Sequence, residues 1–381
     1  MRSTLAAPSA LVIIYATAAC AVAAAGVKHT QPASAIRASV IARSQVWNAT
    51  DVRARNLRVG PEGPGAFAPG ETVSCTWVPK KLGGHSPKFA CRIRDDDVVK
   101  VKYGAGNGEV YGEVLATRLL WALGFGADRM YPVSVLCRGC PKAIGGVEQA
   151  DGVRRIDPAA IERKMDGTEW RPGDRGGWSW PELDRVDPAA GGAPRAQVDA
   201  LKLLAVFFQH TDSKPEQQRI VCAGEKVPKS SEECPHPFLM INDVGLTFGH
   251  ANRFNTNNAG SVNLVAWRQT PVWKHETGCT GNLPKSLTGT LDDPAISEQG
   301  RQFLADLLVQ VSDDQIRGLF EVARVTLRLR EPGHASSGQA TVDDWLDAFK
   351  EKRRQILERR CTPGTLHPSG ADDAGPVSPT K

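Results

Sequence analysis

Apolar and polar positions change their period twice along this chain. Residues 73–78 and 88–93 are short apolar runs separated by Gly83, Gly84 and His85, and read as two strands around a turn. Across residues 98–103 valines alternate with Lys100 and Lys102, the pattern of a strand with one buried face. After a loop at 104–108, the spacing of Val110, Val114, Leu115, Leu119, Trp121 and Leu123 predicts a packed helix over 109–123, ended by Gly124. Strands return at 130–137, 154–164 and 238–241. Residues 166–196 are rich in Gly, Pro, Asp and Trp and read as a connecting loop. Helical spacing then dominates, at 197–209, 297–310, 312–329 and 341–360. The expectation is an α+β chain: a small β-rich N-lobe at 71–165, an interlobe loop at 166–196 and a larger, mostly helical C-lobe at 197–361.

The ends add a compartment. Arg2, the apolar run 10–16 and the small residues up to Ala25 describe a secretory signal peptide over residues 1–25, preferred to a membrane anchor because the segment is short and alanine-rich. Residues 26–70 read as an irregular N-terminal extension with a short helix at 33–44, and 362–381 as a disordered tail. Without Cys20, eight cysteines remain: Cys75, Cys91, Cys137, Cys140, Cys222, Cys234, Cys279 and Cys361. In an exported chain an even set is most simply a disulfide framework, though sequence leaves the connectivity open. The local pairings are 75 with 91, 137 with 140, 222 with 234 and 279 with 361. The CxxC at 137–140 follows a strand and precedes Pro141, which favours a structural role over redox or zinc chemistry. The formal charge of +5 is spread along 381 residues, so no nucleic-acid surface is expected, and a periplasmic or extracellular monomer is.

The chemistry-bearing residues lie on these elements. His210-Thr211-Asp212-Ser213-Lys214-Pro215-Glu216-Gln217 follows an apolar helical run. It offers a carboxylate, a cation two residues on and a side-chain amide five residues on. Lys102 sits midway along a strand, and the next helix carries Glu113, with Glu109 one turn earlier as a rival partner. Lys100 shares the strand face of Lys102. Asp243-Val244-Gly245 ends the strand at 238–241. Each piece alone is commonplace; their order along the chain is what carries weight. Gly-x-Ser-x-Gly and His-Glu-x-x-His are absent, which argues against a hydrolase. His210 reads as a packed loop histidine. Trp170, Trp178 and Trp180 would either stack a ligand or pin their loop.

From Lys102 to Gly249 the chain resembles the protein-kinase-like superfamily, in its atypical branch of secreted Fam20-type kinases and lipid-kinase or HipA-like proteins. The octapeptide is similar to His-Arg-Asp-Leu-Lys-Pro-Glu-Asn, with Gln217 in place of Asn, and Asp243-Val244-Gly245 to Asp-Phe-Gly. Glu113, Ala116, Leu119, Leu123, Gly124 and Phe125 match a helix pattern of the secreted kinases. The resemblance implies a two-lobed protein-kinase-like fold that binds ATP with Mg²⁺ or Mn²⁺. Asp212 and Lys214 would be catalytic, Lys102 and Glu113 would hold the nucleotide, and Asp243 and Gln217 the metal. The acceptor would be a hydroxyl on a protein, lipid, glycan or small molecule. Departures are the missing glycine-rich loop before Lys102, for which only residues 83–86 could substitute, the insert between Cys222 and Cys234, and Gln217, for which Gln218 is an alternative. They leave open a pseudokinase that binds a nucleotide or partner without phosphotransfer.

Overall fold

Alternation along the early strands becomes a sheet with an apolar interior. The computed structural model describes residues 33–171, 176–224, 227, 228, 231, 233–249, 260–328 and 340–361. The expected signal peptide, residues 26–32 and the tail at 362–381 lie outside these. Strands β1 (Thr72–Val78), β2 (Lys88–Arg94), β3 (Asp97–Tyr103), β4 (Arg129–Arg138), β5 (Val147–Glu148) and β6 (Val153–Arg163) form one sheet in the order β3-β2-β1-β4-β6-β5. Long β6 also pairs with β3, so five strands close a ring and β3 gains a partner on each side. Val73, Phe89, Val99, Val101, Tyr131, Val133, Val135 and Ile161 fill its buried core. Because side chains alternate along a strand, Lys100 and Lys102 project from the opposite face.

That outer face receives α2 (Glu109–Ala122), which is buried on nearly every side. Val114, Leu115, Leu119 and Leu120 join the main core together with Met130 and Ala160 of the sheet. Arg118 is fully buried and donates to the carbonyls of Leu57 and Arg58, both at 2.8 Å. After α1 (Ala33–Ala42), Val46, Val52 and Leu57 pack into the same core. Residues Gln45 and Trp47 make isolated bridges with Phe238 and Phe125.

The rest is helix-rich. Strands β7 (Thr168–Glu169), β8 (Gln218–Cys222) and β9 (Pro237–Ile241) form a three-stranded antiparallel sheet. The same part of the chain carries α3 (Arg195–Phe207), α4 (Leu264–Gln269), α5 (Glu298–Leu308), α6 (Asp313–Val322) and α7 (Val342–Glu358). Ser297, Ser312 and Thr341 cap α5, α6 and α7 with their hydroxyls, which satisfies the first free amides of each helix. Trp267, Trp345, Phe320, Phe349, Phe207 and Phe248 pack ring to ring between them. The helix expected at 312–329 stops at Val322. Arg324 takes a left-handed conformation (φ 58°) and reaches Asp157 at 2.6 Å, leaving one 3₁₀ turn at Val325–Leu327. The expected loop at 166–196 contains β7 and two 3₁₀ turns, and Trp170, Trp178 and Trp180 are buried to within 1%.

The fold is therefore mixed α+β, with the strand-rich region first. Among the described residues no helix is long and apolar enough to cross a membrane. All four local cysteine pairs sit at disulfide distance, with Cα separations of 5.3–5.7 Å, which fits an oxidising compartment. The pair Cys279–Cys361 spans 82 residues and ties the end of α7 back to the loop before α5. Closing a loop of that length restricts the unfolded chain most. Replacing both cysteines with serine should lower unfolding stability by about 2–5 kcal/mol. Urea denaturation under non-reducing conditions measures it, and an unchanged midpoint refutes it.

Candidate active site

Lys102 is the centre of the site. It is fully buried, and its ammonium lies 2.5 Å from both Glu109 Oε2 and Glu113 Oε1 and 3.5 Å from Asp243 Oδ1. Burial opposes a charged lysine, but Asp243, Glu109 and Glu113 outweigh it and hold the Lys102 pKa well above the usual lysine range. Burial pushes the Glu113 carboxyl well up despite Lys102. Asp243 goes the other way: Lys102, Lys100 and a hydrogen bond from Glu113 overcome its desolvation and keep it ionised. The two candidate partners of Lys102 are thus both engaged. Their 109/113 spacing puts them on one face of α2 a turn apart. Lys100, on the same strand face, is drawn off by Glu162 of β6, its cross-strand neighbour.

Two backbone features bring Asp243 to this cluster. Gly112 of α2 touches the turn after β9 so closely that a Cβ there would lie 2.5 Å from the Gly245 carbonyl oxygen. Thr247 Oγ1 donates to Val244 O at 2.7 Å and to Gly112 O at 3.5 Å, closing the contact. The missing side chain at 112 is what lets helix and turn meet.

The octapeptide forms the other half. Asp212 is buried, accepts from Gln217 Nε2 at 2.8 Å, and lies 3.3 Å from the Lys214 ammonium. Burial raises the Asp212 pKa, and Lys214 and Gln217 only partly offset that. The Gln217 carbonyl accepts from Asn242 N at 2.7 Å and Asp243 N at 3.3 Å, which stitches the loop to the aspartate turn. Asp243 and Asp212 act on one another electrostatically, so the halves share one field. Ser213 anchors the loop from behind: its Oγ accepts from Thr290 N at 3.2 Å and Leu291 N at 3.1 Å.

Some alternatives are settled by contacts. Gln218 is buried; in the amide orientation that satisfies its neighbours it donates to Lys214 O and Pro215 O and accepts from Trp180 Nε1 at 2.7 Å, so it braces the loop. Trp178 donates to Arg219 O and Trp170 to Ser231 O, so the buried tryptophans pin their loop. His210 is buried between Trp180 and Phe208, and desolvation lowers its pKa to about 4, which keeps it neutral. The loop at 83–86 reaches the site through Ser86, whose hydroxyl donates to Glu109 Oε2 at 2.7 Å. This contact was not legible in the sequence, since a serine in a Gly-rich turn carries no signal of its partner.

Of the three acids around Lys102, Asp243 is the one open to a divalent cation: its side chain is 23% exposed, whereas Glu109 and Glu113 are directed at the ammonium. Oxygens of Glu109, Glu113 and Asp243 lie within 4.8 Å of one another. Hard oxygen ligands with excess negative charge are what Mg²⁺ and Mn²⁺ bind.

Over 76% of its length the chain is similar to the crystal structure of a Helicobacter pylori proinflammatory kinase, CtkA, of which it covers 96%, at 12% sequence identity and a TM-score of 0.41. No family model and no curated protein matches it.

Lys102→Met should destabilise the protein by about 3–5 kcal/mol, because it strands buried carboxylates without their counter-charge. The loss should be larger at pH 8 than at pH 5. In the variant the stranded carboxyls have raised pKa values, so at lower pH they can take up protons and shed the charge. Urea denaturation at both pH values checks the size and the sign.

Proposed function

We propose that the chain is an exported, two-lobed kinase-like phosphotransferase, moving a phosphoryl group from a metal-bound nucleoside triphosphate to a hydroxyl acceptor. The observation that carries the reading is the convergence of Lys102, Glu113 and Asp243 in one buried ion cluster beside Asp212. A purely structural core has no use for a lysine ringed by three acids, since apolar residues of similar volume are commonly as stable. The four cysteine pairs favour an oxidising destination.

In this reading Glu113 positions Lys102, and Lys102 faces the phosphates of the nucleotide. Asp243, with the Gln217 side-chain oxygen, would hold Mg²⁺ or Mn²⁺. The Gln217 amide nitrogen already faces Asp212, which leaves its oxygen turned elsewhere. A bound metal supplies neutralisation of phosphate charge. Asp212 orients the acceptor hydroxyl. As that oxygen bonds to the terminal phosphorus, the bond to the bridging oxygen breaks, the nucleoside diphosphate leaves and the proton passes to Asp212. Lys214, 3.3 Å from Asp212 and partly exposed, offsets charge on the transferred group.

A second reading, a nucleotide-binding pseudokinase, is favoured by one observation. Two of the three Lys102 donors are already directed at glutamates, so phosphates must compete for it. Nucleotide binding without transfer by the wild-type protein would select it.

Purified protein incubated with labelled ATP and Mn²⁺ should label itself or an added acceptor, or at least hydrolyse the nucleotide. Asp212→Ala and Asp243→Ala should each cut the rate by 100-fold or more, on the order expected for losing a general base or a charge-stabilising group. Equal rates in wild type and both variants would falsify the assignment. The rate should also fall as pH drops through the raised Asp212 pKa, because the reaction needs the carboxylate. The acid limb of kcat should therefore lie above the ordinary aspartate value of about 4.

A further inference from the structure

The site face of the ring carries a third lysine. Lys88 of β2 stands directly opposite Lys102 in the β2–β3 register, so both side chains leave the sheet on the same face. Lys100 pairs with Glu162 and Lys102 with Glu109 and Glu113, but among the described residues Lys88 has no carboxylate within 4.0 Å. Its one hydrogen bond there is to Ser86 Oγ, at 3.4 Å. Burial and the nearby Lys102 charge lower its pKa, while Glu109 and Asp243 act in the opposite sense, so its ammonium lies within the field of the cluster.

The loop before it passes close to that ammonium. Gly84 has φ +85°, and a Cβ there would come within 2.7 Å of Lys88 Nζ. The left-handed backbone at Gly84 favours glycine there, and the turn passes close over the mobile end of the Lys88 side chain. The loop is tied down beyond that point: Ser86 donates to Glu109, and Asn107 Nδ2 donates to Pro87 O at 3.2 Å. A half-buried cation thus sits under a glycine turn, beside a lysine already occupied by acids.

We propose that Lys88 is a second phosphate-binding cation beside Lys102, seated beneath the Gly83-Gly84 turn and taking the place of a glycine-rich loop. The proposal rests on the nucleotide reading above. A nucleoside triphosphate brings several negative charges to a site whose buried lysine is offset by three carboxylates. Lys88 supplies the uncommitted charge. Its ligand is the phosphate chain, so it should discriminate ATP and ADP from adenosine.

Calorimetric titration of the full chain with ATP, ADP and adenosine, each with Mg²⁺, tests this. Lys88→Ala should weaken ATP and ADP by about 10- to 100-fold, the effect of removing one charged hydrogen-bond donor, and leave adenosine unchanged. Lys88→Arg should recover most of the loss. Lys81→Ala, which removes an equal charge from an exposed position of the same loop, should bind like wild type. In wild type, ATP should also protect Lys88 from amine acylation, read by mass spectrometry, which needs no variant to fold. If Asp243→Ala loses ATP while Lys88→Ala binds normally and ATP gives no protection, the Lys88 inference is wrong and the nucleotide reading stands. If wild type binds ATP no better than adenosine, both are wrong.

Discussion

A fully buried ammonium cannot stand alone in a protein interior, and that constraint organises this molecule. Lys102 is tolerated because two glutamates from one helix and an aspartate from a distant turn meet it. Each must arrive by a different route. The strand ring sets the lysine, α2 sets the glutamates, and the end of β9 sets the aspartate. An error in any one leaves a charge without a partner, so the fold and the site are specified together.

Much of this was legible because it depended on period and order. Alternation placed Lys100 and Lys102 on one face, and helical spacing placed Glu109 and Glu113 on another. Which glutamate would pair was not legible, because a turn of helix is short enough for both to reach one ammonium. Nor was the second pairing of β3, since β6 lies some fifty residues downstream and nothing in its composition names its neighbours. Lys88 carried no signal as one charge near a turn; only register reveals that it faces Lys102. The early end of α6 was equally silent. Arg324 is an ordinary helix former, and its left-handed conformation accompanies a tertiary contact with Asp157.

The octapeptide gains its definition from residues outside it. Gln218, itself held by Trp180, donates to the carbonyls at 214 and 215, Ser213 is held by the amides of 290 and 291, and the Gln217 carbonyl holds the amides of 242 and 243. Three separate stretches of chain therefore fix where Asp212 stands. The Trp-rich stretch at 166–196 and the loop at 286–291 support the site without touching the reacting groups. Loops placed this way act as scaffold even though their composition reads as linker.

The contact between Gly112 and Gly245 carries one more consequence. Helix and turn meet there at van der Waals distance, with the Glu109 side chain lying against Gly245 and Thr247 Oγ1 against Gly112. A side chain added at either glycine would force helix and turn apart. Any such separation would carry Glu109 and Glu113 away from Lys102, so the spacing of the ion cluster is written partly into two residues that carry no charge.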